Sequence, residues 1–289
     1  MSNSVFGAQV GIHVSKQYDH AIMGDFGKKK HMALSQFAGN HQPDYWFFSL
    51  DNFKELLSQL GDAPGVRVYL ANYIPTGFDP VDAVVQRGYL NTLTLIFTAT
   101  DANNEDLSKK DPDTPYFLIT PPELNYKGDY TDGELITLTK GVAATMVKHY
   151  QDKTIPFLTA LNKHVKRFYK KDPTAMYGET KSMTYNLEHF KGTIYEDIQN
   201  VNVKGVTAFL GSFTEENKPE DPKLVGQTEI IFGYASSFSY EGKMYYFHFD
   251  IEECPGYSEG FPTNPGEITN GNNTVNPCPP NDCPGASIP

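Results

Sequence analysis

The chain repeats itself. FFSLDNFKELL (47–57) is similar to TYNLEHFKGTI (184–194), GVRVYLANY (65–73) to GVTAFLGSF (205–213), and TLIFTATD (94–101) to EIIFGYAS (229–236). Upstream, VSKQYDHAIMGDF (14–26) matches LTKGVAATMVKHY (138–150), with Val14, Tyr18, Ile22 and Phe26 answering to Leu138, Val142, Met146 and Tyr150. The blocks keep one order, at offsets of 137, 140, 135 and 124 residues. Self-similarity on this scale narrows the fold to two like units, since like sequences bury like faces. The alternative is a pair of similar helix–strand pieces of the kind any α+β protein contains.

Local patterns give each unit its elements. An aromatic stretch meets Ser49 or Asn186, side chains that accept from the orphan amides of a starting helix. The i, i+4, i+8, i+12 spacing from Val14 is one face of a helix. Unit one therefore reads as helix 14–29, strand 44–48, helix 50–60 and strands 66–74, 90–101 and 115–120. Unit two reads as helices 138–152 and 156–170, strand 181–185, helix 187–198 and strands 203–213, 228–239 and 243–252. A tight turn is expected at Glu241-Gly242-Lys243, and polar loops at 75–89, 102–114 and 214–227. The strands are rich in Val, Ile, Tyr, Phe and Thr, which suit a pleated surface. Helices mixed with consecutive strands predict an α+β fold, with helices on a mainly antiparallel sheet. The expected organisation is a first unit over 1–125, a second over 126–253 and a tail over 254–289, with the units packed as a pseudo-dimer.

Charge and hydropathy exclude some partners. Lys and Arg number 24 against 35 Asp and Glu, a net charge of −11, which disfavours non-specific nucleic-acid binding. No apolar run reaches the length of a membrane span. The opening MSNSVFGAQVGIHVSKQYDH has neither a basic nor an apolar leader region, so the cytoplasm is the expected compartment.

The tail changes composition. Residues 254–289 hold eight prolines, five glycines and no Lys or Arg. Proline removes donors, so the expectation is an extended peptide without helix or central strand. All three cysteines, Cys254, Cys278 and Cys283, lie here. They are the candidate metal ligands. A closed zinc site needs four ligands, so His248 or an outside group would complete it. A local Cys278–Cys283 disulfide and free thiols are the alternatives. The aromatic–cap–helix step, together with Pro277-Cys278-Pro279-Pro280-Asn281-Asp282-Cys283, resembles an uncharacterised Bacteroidota family of short α+β proteins. Its members are similar to one unit plus the tail, so the chain looks like a doubled member that departs from the pattern around Asn281-Asp282. The resemblance implies no catalytic residues.

Motifs of known chemistry fail on spacing. Gly24-Asp25-Phe26-Gly27-Lys28 lacks the glycine pair of a phosphate loop, and Lys29 stands where its hydroxyl belongs. His20 and His149 sit in the repeated helix block but not at equivalent places, and no HExxH occurs. Asp101–Asp106 has the flavour of a calcium loop without its sixth-position Gly or distal Glu, leaving a weak oxygen-ligand site at most. Glu252-Glu253 beside Cys254 reads as a strand end. No catalytic or cofactor-binding residue is assigned. The favoured function is a non-enzymatic structural protein that assembles with copies of itself into a ring or filament, its tail lying along a neighbour. The alternatives are a small-molecule or partner-binding module using the groove between units, or an enzyme whose site is scattered in sequence.

Overall fold

The computed structural model describes residues 12–15, 30–43, 45–121, 123–124, 130–131, 133–168, 179–187, 191, 205–212, 226–240, 243–249 and 269–273. In chain order these form strand β1 (Ile12–Ser15), helix α1 (Met32–Ala38), β2 (Tyr45–Ser49), α2 (Leu50–Leu60), β3 (Gly65–Asn72), α3 (Asp79–Val84), β4 (Leu93–Thr100) and β5 (Tyr116–Ile119). A small ribbon of β6 (Glu123–Leu124) and β7 (Tyr130–Thr131) follows. Then come β8 (Leu135–Leu138), α4 (Lys140–His149), α5 (Ile155–Phe168), β9 (Ser182–Asn186), β10 (Gly205–Ser212), β11 (Thr228–Tyr240), β12 (Lys243–Phe249) and β13 (Thr269–Asn273). The class is α+β, with helices set against antiparallel sheets.

Two larger sheets carry the fold. One runs β1-β13-β11-β10-β2, with β12 also on β11; the other runs β8-β5-β4-β3-β9. Their strand orders correspond place by place, and so do their registers. Gly65 faces Asn186 and Tyr69 faces Ser182. Gly205 faces Ser49 and Phe209 faces Tyr45. These pairs differ by the offsets of the sequence blocks. The same holds where Gly65 faces Thr100 and Gly205 faces Ala235. Phe97 faces Phe117 as its counterpart Phe232 faces Asn272. At the far edge, Leu118 faces Ile136 as Asn273 faces Ile12.

The edge strands are exchanged. β1 and β2, from before residue 125, flank β13, β11 and β10. β8 and β9, from after it, flank β5, β4 and β3. Within the described residues, each larger sheet thus draws strands from both segments. Gly65 and Gly205 sit at equivalent crossings. A Cβ at Gly65 would fall 3.0 Å from the Tyr185 carbonyl oxygen, and one at Gly205 would overlap the Phe48 carbonyl oxygen. Close backbone approach is why both blocks open on Gly.

The sheets pack face to face. Val66, Val68 and Leu70 of β3 and their counterparts Val206, Ala208 and Leu210 of β10 enter one buried cluster. Phe97 and its counterpart Phe232 meet at its centre, 6.5 Å apart. Phe48 meets Phe97 edge to face at 5.8 Å, and Tyr185 meets Phe232 edge to face at 5.3 Å. Phe48 and Tyr185 are equivalent in the repeat, so one contact is made twice. Such pairs add about 1 kcal/mol each beyond burial. The outer face of the β3–β5 sheet, with Tyr69, Ile96 and Leu118, is covered by Met146 and Val147 of α4 and by Val81 and Val84 of α3.

Several local expectations fail for identifiable reasons. Val14 belongs to a strand rather than to a helix beginning there, as does its counterpart Leu138; residues 16–29 lie outside the described set. The apolar ridge was begun in the preceding strand. In the second block Thr139 caps α4 by accepting from the Val142 amide at 3.4 Å. The span 75–89, read as loop, holds α3 with proline in its first turn and a wide turn over Val85–Tyr89. The stretch between β5 and α4 holds β6, β7 and β8. α4 and α5 are joined through a wide turn at Tyr150–Thr154. The tail does contain a central strand, because 266–276 is proline-free and β13 fits between β1 and β11. The turn at 241–242, most of helix 187–198 and residues 213–225 lie outside the described residues. Among the described residues, no helix is long and apolar enough to cross a membrane.

Candidate functional site

Two buried ionic clusters concentrate the chemistry of the described residues. The first is built on β3, whose alternation sends Val66 and Val68 inward and Arg67 and Tyr69 outward. Arg67 is nevertheless only 1% exposed, as is Asp106 from the loop after β4. Arg67 Nη1 lies 3.2 Å from Asp106 Oδ1. The Tyr69 hydroxyl donates to Asp106 Oδ2 at 2.6 Å, and the Tyr116 hydroxyl stands 3.5 Å from the same oxygen. Arg67 also donates to the Asn104 carbonyl and, through Nε, to Thr184 Oγ1 of β9 at 3.3 Å. The cluster therefore ties β3, the 101–115 loop and the exchanged strand together.

Burial sets its protonation. Burial raises the Asp106 carboxyl above its usual value, against the pull of Arg67 and Tyr69. Burial, then the Asp106 charge, raises the Tyr69 hydroxyl well above the usual phenol value. The Tyr116 hydroxyl is pushed up to about 12, again by burial first. Both phenols remain protonated donors. The group combines an ion pair with charge-assisted hydrogen bonds, which suits anchoring a loop to a sheet.

The neighbouring Asp101 turns the other way. Its Oδ1 accepts the amides of Asn103 and Glu105, each at 2.9 Å, and Lys110 donates to its Oδ2 at 2.6 Å. Asp101 and Asp106 are thus committed to different partners, and the Asp101–Asp106 loop does not gather cation ligands. Among the described residues, no group of three or more His, Cys, Asp or Glu could hold a metal ion.

The second cluster joins Lys30, just before α1, to Glu179 and to Thr228 at the start of β11. Lys30 is 2% exposed and Glu179 0%. Lys30 Nζ donates to Glu179 Oε2 at 2.6 Å and to Thr228 Oγ1 at 3.0 Å. Glu179 Oε1 accepts the amides of Thr228 and Thr180. Asn162 donates to Glu179 at 3.3 Å and to the Gly226 carbonyl at 2.9 Å. Tyr150, its hydroxyl raised by burial, donates to the Thr180 carbonyl at 2.8 Å.

This cluster has a neutral counterpart. Gln42 stands at the offset of Glu179, and its Oε1 accepts the Leu93 amide at 2.8 Å as Glu179 accepts that of Thr228. Thr154 stands at the offset of Lys30 and donates to Asn72 Oδ1 at 2.8 Å. Asn72 and Ser212 bond the equivalent carbonyls of Thr92 and Gln227 at 3.5 and 3.3 Å. Even the positive-φ residues match, Asn91 at 63° and Gly226 at 89°.

Of the sequence-derived candidates, Asp106 lies in the first cluster. Cys254, Cys278, Cys283 and His20 lie outside the described residues. His149 ends α4, its basicity lowered by burial and then by Lys153. Arg67, Lys30 and Glu179 were missed, and Asp106 was singled out as a weak oxygen ligand rather than as the partner of Arg67. One signal for Arg67 was available, a lone charge between two valines in GVRVYLANY. The chain matches no protein-family model, no curated protein and no solved structure.

Proposed function

We propose that the protein is a non-enzymatic structural protein of the cytoplasm that assembles with copies of itself into a ring or filament. The observation that carries this reading is the completion of each sheet by strands from the other segment. A chain made of two mutually complementary halves presents docking faces of the same kind twice, and unlike faces meeting head to tail give rings or filaments. The two ionic clusters support it, since both are buried and both link segments distant in sequence. Sedimentation velocity over a wide concentration range, with negative-stain imaging, tests it. Species larger than the 32.3 kDa chain that grow with concentration are expected. A single monomeric species throughout overturns the reading.

A further inference from the structure

We propose that a second copy of this chain can supply the exchanged strands, and that the Lys30–Glu179 pair restricts such pairing to a first half on a second half. The proposal rests on the assembly reading and names its contact.

The contacts do not depend on both halves lying in one chain. β1 and β2 meet β13 and β10 at the registers with which β8 and β9 meet β5 and β3. If residues up to Ile119 of one copy pack on residues from Leu135 of another, every described contact between halves is kept. What changes is the connection between β5 and β8, where extension gives up the β6–β7 ribbon and the bonds between Thr120 and Glu134. Extended, residues 120–134 reach about 50 Å, enough to cross between two bodies. The balance between one-chain and two-chain forms is then set by effective concentration and by the loss of that ribbon, not by new contacts.

Charge decides which halves can meet. Lys30 of the first half is buried against Glu179 and Thr228 of the second. Were two first halves to pair, Lys30 would lose the Glu179 carboxylate and meet the equivalent residues Gln42 and Leu93 instead. Were two second halves to pair, Glu179 would lose the Lys30 ammonium and meet Thr154 instead. Taking away one partner of a buried ion pair is strongly destabilising. The pair therefore excludes like-with-like pairing that the matched registers would otherwise permit.

The test uses full-length chains with Cys254, Cys278 and Cys283 changed to Ser. Phe47 and Thr207 face each other across β2 and β10. One copy carries Phe47→Cys and Lys30→Glu, the other Thr207→Cys and Glu179→Lys. Each alone places like charges at the buried pair, whereas exchange between the two copies restores both pairs. They are unfolded, mixed, refolded and oxidised. The expected result is a covalent hybrid at least tenfold above that from the same cysteine copies with natural charges. A control pair carrying Lys30→Thr and Glu179→Gln in both copies keeps the fold by copying Thr154 and Gln42, and should show no enrichment. Charge-swapped copies that refold separately as monomers with no hybrid overturn the proposal. So do Phe47→Cys and Thr207→Cys copies of natural charge that form oligomers together without a disulfide between them, which leaves assembly standing. A hybrid from swapped copies beside a strictly monomeric natural chain supports the pairing rule and removes the assembly reading.

Discussion

Lys30 and Glu179 show how one position can be solved in two chemistries. At one site Lys30 and Glu179 form a charged pair; at the equivalent one Thr154 bonds Asn72 and Gln42 bonds the Leu93 amide, without charge. Replacing Lys30 alone by Thr strands a fully buried carboxylate, at a cost of about 3–5 kcal/mol. The double variant Lys30→Thr/Glu179→Gln should cost far less than the sum of the single changes, measured as a double-mutant cycle in denaturant. Additive losses would deny that the two sites are equivalent. Asp101 offers a test of sign. Burial works to raise its carboxyl, but the Lys110 ammonium and the Glu105 and Asn103 amides outweigh it and hold it below its usual value. A lowered carboxyl contributes stability that is complete above about pH 4 and lost as pH falls through the folded value. The thermal midpoint of Asp101→Asn should therefore fall less steeply below about pH 4 than that of the natural protein. Parallel curves would mean that these bonds do not hold the carboxyl down. Asp106 carries the opposite sign, because burial raises it.

At the level of elements, alternation was the most legible signal. GVRVYLANY and GVTAFLGSF read as strands because branched and aromatic residues recur with period two, and both are strands in the structure. Ser49 read as a cap and accepts from the Asn52 amide at 3.3 Å. Periodicity assigns a face, however, and not a neighbour. Nothing in the Tyr45–Ser49 stretch says that its partner is Gly205–Phe209 rather than the nearby Gly65–Tyr69, so the exchange of strands was not legible. The buried clusters were hidden for related reasons: Lys30 and Glu179 meet only across the two segments, and Arg67 and Asp106 only once β3 pairs with β4 and the following loop folds back onto Thr100. β13 was hidden by composition, since eight prolines outweighed one proline-free run. Its place between β1 and β11 gives a prediction. Ending the chain after residue 275 should leave the far-ultraviolet circular dichroism and the unfolding transition nearly unchanged. Ending it after residue 253 removes a central strand and should lower the thermal midpoint sharply. Equal stability of the two truncations would contradict the position of β13.

For the whole molecule, the account depends on two sheets of one plan, each finished by strands from the opposite half. The paired aromatic contacts around Phe97 and Phe232, the matched glycines and the matched turn residues all follow from that plan. Cross-strand backbone nuclear Overhauser effects in isotopically labelled full-length protein read it without any substitution. The account predicts effects joining Tyr45–Ser49 to Gly205–Phe209 and Ser182–Asn186 to Gly65–Tyr69. Effects joining Tyr45–Ser49 to Gly65–Tyr69 instead would show each half pairing with itself, and would contradict it.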